Sequence, residues 1–409
     1  MIDRQLMREI LSLKMLMMLI HGVSAGIPLL LIGSTLSGML TENGMSMGEI
    51  GLFALAKTPY AFKPVWSPLL DRFNLGFLHR RKAWIFTFQV LLALTIAPLG
   101  YLVTAGVNPL AIGVLCLFIG FFSASQDIVI DAYRRELLED RELGLGSSTY
   151  VAGYRLAILF STAGALVLAQ FYGWGASYLL MGLTLLACSF TTFFAPDPLL
   201  NEAAPASIKE AVIGPFVDFF KKDSAWLILL FILFYKIGDQ MASNFTLPFY
   251  LQLGFTKVEI AAITKVFGIG ATIGGGFLGG VLMLRLGLFR SLLSFGVLQM
   301  ISTFGFSLLD FYGKNLSLLT GVIFFENLAA GMGTAAYIAY MASMTNKKYT
   351  ATQYALLTSF MALPMSVLAA PTGYLVEALG WFYFFLFCTL IALPGLLMML
   401  KLGPSQSEA

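Results

Sequence analysis

The chain has 409 residues, of which 58% are hydrophobic and 11% charged, with a formal net charge of +3. An ordinary soluble domain carries roughly a quarter charged residues, and its interior could not absorb this much apolar surface, so a soluble enzyme is excluded. The small positive charge, spread in short groups, also excludes a nucleic-acid binder.

A helix crosses the hydrocarbon core with about 20 apolar residues. Twelve spans are predicted on that measure, near 15–40, 48–70, 83–104, 109–131, 147–170, 174–195, 225–252, 257–284, 288–310, 316–343, 351–376 and 380–401. The first is longer than the apolar part of a signal peptide and lacks a clear small-residue cleavage site, so it reads as a retained span. It carries His21, read as a hydrogen-bonded packing residue ahead of a proton carrier, and Gly22-x-x-x-Gly26, which permits close helix contact. The second opens with a capping box, Ser46 with Glu49, and ends Asp71-Arg72 before Arg80-Arg81-Lys82. Inside it, Lys57 lies about 12 Å beyond Glu49 and Lys63 about 12 Å before Asp71, and on a straight α-helix the two point about 120° apart. Pro59 and Pro64 are expected to bend that span.

Span 4 holds Asp127 and Asp131 on one face, where they would repel if both were ionised, so each is read equally as a proton site or as a structural partner of Arg134, Arg135 or Arg155. Arg155 sits deep in span 5. The longest internal polar interval, Asp197–Ser224, separates the spans six and six. Span 7 places Lys236 and Asp239 at i,i+3, within reach of each other. Span 8 opens with a second capping box, Thr256 with Glu259, and contains Lys265 and Gly276-x-x-x-Gly280. Gly274-Gly275-Gly276 is no phosphate loop, because no lysine and hydroxyl follow at the required spacing. Glu326 is mid-span in span 10, and Trp381–Phe385 reads as an interfacial aromatic belt. Cys116, Cys188 and Cys388 read as small buried hydrophobes, and no metal site or cofactor is indicated.

Ionisable groups at bilayer depth are costly and face a cavity or a partner. The deep cations Lys57, Lys63, Arg155, Lys236 and Lys265 outnumber the deep acids, which favours an anionic small-molecule substrate; Lys63, Lys236 and Lys265 are preferred as its ligands over internal ion pairing, and Lys57 and Arg155 are balanced evenly between the two. Asp127, Asp131, Asp239 and Glu326 are the candidate proton carriers. Lysines and arginines crowd the loops on the N-terminal side, while the opposite loops hold only Lys257 and Lys314, so both termini are expected in the cytoplasm. The matching ends of spans 2 and 8 indicate a parallel repeat, as in transporters whose halves rock around a central site. The expected domains are residues 1–196 and 225–409 (with the tail), joined by a linker at 197–224.

Asp71-Arg72 with Arg80-Arg81-Lys82 resembles the G-x-x-x-D-R-x-G-R-R loop of the major facilitator superfamily, with Ser67 in place of the first glycine and extra residues between the charged clusters. Gly280, Arg285, Gly287 and Arg290 form a partial second copy, with Leu284 where the aspartate would be. Longer stretches are similar to the AmpG-type muropeptide permeases, in the peptide and acetyl-coenzyme A transporter branch. They include Gly26-Ile-Pro28, Phe62-Lys63-Pro-Val-Trp66-Ser-Pro68, Ser123-Ala-Ser-Gln126-Asp127 through Asp131, Tyr235-Lys236-Ile-Gly238-Asp239, Thr264-Lys265, Phe324-Phe325-Glu326-Asn327 and Ala351-Thr-Gln353. Lys57 departs from that family's pattern, where an uncharged residue is expected.

The resemblance implies an all-α membrane protein with twelve transmembrane helices in two six-helix halves, in the bacterial inner membrane. It also implies monomeric, proton-coupled import of anhydro-muropeptides from the periplasm. Lys63, Lys236 and Lys265 would then meet peptide carboxylates. Gln126 and Asn327 would meet sugar hydroxyls, Tyr60, Trp66 and Tyr235 would stack, and Gly26 would belong to the same site. Asp71, Arg72, Arg80 and Arg81 would hold the cytoplasmic side closed. Competing expectations are an importer of a carboxylate siderophore or acyl-coenzyme A, an intramembrane transferase using His21 and Asp127, and a non-transporting receptor.

Overall fold

The computed structural model describes residues 9–45, 53–198, 207–222, 224–256, 259–260, 262–367 and 369–403. These residues form helices and short connections, with no strand among them. The helices are α1 (Leu13–Leu31), α2 (Ser34–Glu42), a 3-10 helix Phe53–Phe62, α3 (Lys63–Arg72), α4 (Arg80–Thr104), α5 (Pro109–Leu137), α6 (Leu143–Leu159) and α7 (Ala165–Phe194), the last two joined by a π-helical segment Phe160–Gly164. Then follow α8 (Ile208–Phe220), α9 (Ala225–Tyr235), α10 (Ile237–Gln252), a π-helical segment Ala262–Phe267, α11 (Gly268–Leu286), α12 (Leu288–Tyr312), α13 (Leu316–Ser343), α14 (Thr350–Val367), α15 (Ala369–Leu390) and α16 (Leu393–Leu402).

Nine helical stretches among the described residues are long and apolar enough to cross a membrane. One of them, Leu143–Phe194, runs for 52 residues and reverses at Gly173 (φ 81°, ψ 163°), so it supplies predicted spans 5 and 6. Span 2 is the 3-10 helix followed by α3, and span 11 begins at α14, which accounts for the twelve. The loss of α winding in Phe53–Phe62 corrects one sequence expectation. Residues three apart eclipse on a 3-10 helix, so Lys57, Tyr60 and Lys63 line one face instead of diverging by about 120°. Pro59 lies inside the tight segment, where it interrupts the α hydrogen-bond ladder.

The chain divides into two compact units. One comprises Met1–Glu139, Thr149–Phe216 and Thr345–Leu356, and the other comprises Asp140–Ser148, Val217–Met344 and Leu357–Ala409. The core of the first contains Ile27, Leu31, Leu36, Ile96, Ile119, Tyr178 and Met181. That of the second contains Phe249, Phe306, Leu309, Leu319, Phe384 and Phe385. Phe384 and Phe385 are fully buried, so the aromatic run is core packing at those positions, and only Tyr383 is strongly exposed. The three cysteines are buried and free.

The repeat is visible in details that the sequence comparison did not use. Gly173 and Gly380 adopt the same left-handed conformation, at φ 81° and 74° with ψ 163° and 167°. Each is followed by a tryptophan. The Trp174 indole donates to Glu42 at the end of α2, and the Trp381 indole donates to Gln252 at the end of α10. Asn108 and Asn315 cap α5 and α13, each accepting a backbone N–H of the first turn. The Thr256–Glu259 capping box is formed in both directions, at 2.7 and 3.2 Å. Its predicted counterpart, Ser46 with Glu49, lies outside the described residues.

Gly22 and Gly26 bring α1 against α6: a Cβ at Gly22 would collide with the Tyr150 carbonyl, and one at Gly26 would stand 2.6 Å from the Tyr154 carbonyl. In span 8, predicted Gly280 is tightly packed against Ser148, as are Gly275 against Leu328 and Gly279 against Met332, whereas predicted Gly276 is nearly open.

Candidate functional site

In the first unit, α3 and α5 bring Lys63 and Asp127 together. Lys63 Nζ lies 3.0 Å from Asp127 Oδ2, and the other carboxylate oxygen is buried with no hydrogen-bond partner among the described residues. The 3-10 winding sets the Tyr60 ring 5.0 Å from the same ammonium, and the Tyr60 hydroxyl is 2.6 Å from Ser123 Oγ. Trp66 donates to Ser125 Oγ at 3.0 Å and packs on Phe121. Two clusters separated by 64 residues of chain thus converge, because Ser123, Ser125 and Asp127 on α5 face the stripe that carries Tyr60, Lys63 and Trp66.

Asp131, one turn further along α5, has its own cation, Arg134 Nη2 at 2.9 Å. The expected repulsion between Asp127 and Asp131 is therefore relieved by a separate partner for each. Arg134 also donates to the Tyr354 hydroxyl at 2.9 Å and lies over the Tyr150 ring. Gln126 points away from this cluster. It is fully buried and donates to Ser24 Oγ, which also accepts from Gln89. Gln126 Oε1 is buried with no hydrogen-bond partner among the described residues, and Gly26 is enclosed by Tyr154 and Ala157. His21 is buried against the edge of Tyr133, and neither of its nitrogens has a partner among the described residues, so the expected hydrogen-bonded packing is absent. Lys57 is exposed and Arg155 half-buried, and neither forms a hydrogen bond or ion pair among the described residues.

The second unit holds a parallel arrangement. The α helix of span 7 breaks at Lys236 (φ −109°, ψ −1°), between α9 and α10. Lys236 Nζ lies 3.3 Å from Asp239 Oδ2 and 3.1 Å from Gln299 Oε1. Gln299 Nε2 is buried without a partner among the described residues. A Cβ at Gly333 would stand 2.7 Å from Gln299 Oε1, so a glycine there leaves room for this amide. Tyr235 stacks on Tyr337 at 5.3 Å and 14°, and donates to the Leu292 carbonyl. Asn327 accepts from Thr272 and donates to the Ile323 carbonyl, so its amide is already engaged. Glu326 is half-buried on α13. Lys265 falls in the π-helical segment, and its side chain lies outside the described residues.

At the end of span 2, Asp71 is fully buried and accepts from Arg81 Nη2 at 2.7 Å. It also accepts from the backbone N–H groups of Ala351 and Thr352 and from the Thr352 hydroxyl, at 3.2, 2.9 and 2.7 Å. Those amides open α14, so the carboxylate occupies a helix N-terminus. Arg81 donates twice to Glu136 and once to the Leu70 carbonyl. Arg80 donates to the Asp71 carbonyl at 2.7 Å, and Arg72 is half-buried with its guanidinium 5.8 Å from the Phe73 ring. Sequence reasoning missed Glu136, Thr352, Gln299 and the Ser24–Gln89 pair. Glu136 was readable in principle, as an acid directly after Arg134-Arg135 near the end of span 4. The uncharged residues carried no comparable signal.

Residues 15–369 match the Major Facilitator Superfamily. The chain is 41% identical over 385 residues to the anhydromuropeptide permease of Escherichia coli K12, covering 94% of this chain and 78% of that one. It is 37% identical to the transporter AmpG 4 of Rickettsia conorii, covering 94% and 95%. A solved structure of the proton:xylose symporter XylE, bound to 6-bromo-6-deoxy-D-glucose, superimposes with a TM-score of 0.70 over 96% of this chain and 95% of that one. At 13% identity that likeness speaks for the fold alone. The expected fold class is thereby confirmed: this is an all-α, multi-pass membrane protein of the major facilitator superfamily, belonging within it to the family of AmpG-type permeases.

Proposed function

We propose that the chain is a secondary transporter, not an enzyme, that imports anhydro-muropeptides from the periplasm to the cytoplasm by alternating access and couples this to inward proton flow. The observation that carries the substrate is the 41% identity to an anhydromuropeptide permease along 94% of the chain. For the proton, the support is local. Asp127 is a buried carboxylate whose one oxygen is held by Lys63 and whose other has no partner among the described residues. Protonation there would loosen the Lys63 pair and free the ammonium for an anionic substrate, which is how a single site exchanges proton and ligand. In this reading Lys63 and Lys236, each tied to a carboxylate at rest, become substrate ligands as their partners are neutralised.

The surrounding assignments follow from the same reading. The protein lies in the inner membrane as a monomer of two six-helix halves, 1–196 and 225–409 joined by 197–224, with both termini cytoplasmic. Tyr60, Trp66 and Tyr235 offer aromatic faces to the substrate, and Asp71 with Arg80 and Arg81 ties down the cytoplasmic loop. The test is uptake of labelled anhydro-muropeptide into proteoliposomes with and without an inward proton gradient, beside carboxylate siderophores and acyl-coenzyme A compounds. Accumulation of intact muropeptide that depends on the gradient is expected. Uptake of another anion with no muropeptide uptake would reject the substrate, and uptake indifferent to the gradient would reject the coupling.

A further inference from the structure

The deep charges of the first unit do not cancel. Lys63 is matched by Asp127 and Arg134 by Asp131. Lys57 has no hydrogen bond or ion pair among the described residues, and it is exposed. Two measures place its ammonium deep. A Cβ built at Gly33 would stand 2.8 Å from Lys57 Nζ, so the charge lies beside the break between α1 and α2. Gly33 is nine residues before Glu42 and the turn that ends α2, or about 14 Å at 1.5 Å per residue, roughly half the hydrocarbon thickness.

An unpaired ammonium exposed at that depth cannot face lipid without a cost of several kcal/mol, so it faces water. The 3-10 winding then decides which face this is. Lys57, Tyr60 and Lys63 fall on one stripe, and the inner end of that stripe is the Lys63–Asp127 pair. Among the described residues, Lys57 is thus the cation on this stripe with no carboxylate bound to it, and it shares the stripe with Tyr60 and Lys63.

We propose that Lys57 is a specificity-determining residue: its ammonium binds a carboxylate of the transported molecule's peptide and makes the transporter prefer the free acid to an uncharged analogue. The inference rests on the reading of the chain as an importer of anionic muropeptides, and it adds a division of labour. Lys63 is engaged with Asp127 before substrate arrives, whereas Lys57 is available from the start and costs no ion pair to recruit.

The test compares labelled anhydro-muropeptide bearing free peptide carboxylates with its carboxamide-capped analogue, read as the ratio of their KM values or competition constants in proteoliposomes. The wild type should prefer the free acid by at least about tenfold, the worth of one charge-assisted hydrogen bond. Lys57→Gln should collapse that preference, and Lys57→Arg should keep most of it. Melting temperature in detergent and protein content of the vesicles verify that the variants fold. A preference unchanged in Lys57→Gln, or lost equally in Lys57→Arg, overturns the proposal. If the wild type accumulates a siderophore or acyl-coenzyme A instead of muropeptide, the substrate reading fails on its own, and the preference test is run on the free and capped forms of that anion.

Discussion

Lys63 and Asp127 are each expensive alone at bilayer depth and tolerable together. Their 3.0 Å contact therefore has a structural consequence as well as a functional one. Lys63→Ala leaves a buried carboxylate without its cation and should destabilise the protein by about 3–5 kcal/mol. The double variant Lys63→Met with Asp127→Leu should recover most of that loss, measured by thermal unfolding in detergent. Uptake separates the two roles: it should stay at least about tenfold below wild type in the double variant, because the exchange of proton for ligand needs both charges. Recovery of uptake together with stability would make the pair purely structural. The residues of this site were readable one by one as buried charges, but their pairing was not. Spans 2 and 4 are joined by a whole further span, and nothing in local sequence says that Asp127 rather than Asp131 meets Lys63. The i,i+3 contacts, Lys236 with Asp239 and Asp131 with Arg134, were predictable because helix geometry alone brings such residues together.

The elements differ in how far their form could be read. Apolar length predicted most spans, but not that span 2 would wind as a 3-10 helix over ten residues, because hydrophobicity carries no information on winding. The turns are better specified. Gly173 and Gly380 occupy a region of φ and ψ open essentially to glycine, so alanine at either should cost about 1–3 kcal/mol. Gly113→Ala, where an added Cβ meets open space within a helix, is the control and should be neutral or slightly stabilising in the same melting assay. The Thr256–Glu259 box adds a pH dependence at the mouth of span 8. Hydrogen bonds from the Thr256 backbone and hydroxyl, with lesser help from Lys314, hold the exposed Glu259 carboxyl below its ordinary 4.5. Its pKa is depressed in the folded state, so the cap contributes fully above pH 4.5 and is lost as pH falls through the folded value. Protection of the backbone amides at 256 and 259, taken relative to their intrinsic exchange rates at each pH, should fall on acidification below pH 4.5, and Glu259→Gln should remove most of that step. A protection factor in the wild type that does not change with pH would contradict the cap.

For the whole molecule, the repeat and the charge asymmetry make one joint prediction about sidedness. Glycine–tryptophan turns at 173–174 and 380–381, each with its indole bonded to the end of its own half's first span, mean that the two halves repeat in the same sense. A parallel repeat with six spans per half brings the chain back to its starting side after each half, so the two termini and the segment joining the halves share that side. Lysine and arginine then choose the side. Arg72, Arg80, Arg81 and Lys82 follow span 2, Arg134, Arg135 and Arg141 follow span 4, and Lys347 and Lys348 follow span 10, whereas Lys314 stands nearly alone opposite them. A fluorescent protein fused after Lys401 should therefore fold and fluoresce, and alkaline phosphatase at the same position should be inactive. Single cysteines at Gly106 and Gly313 should react from outside intact cells with an impermeant maleimide, and one at Asn74 only after permeabilisation. A span miscounted within one half would break the repeat's parity and reverse the labelling of every loop after it. Concordant labelling at Gly106 and Gly313 thus tests the parallel repeat, and the fusion at Lys401 tests the direction that the loop charges impose.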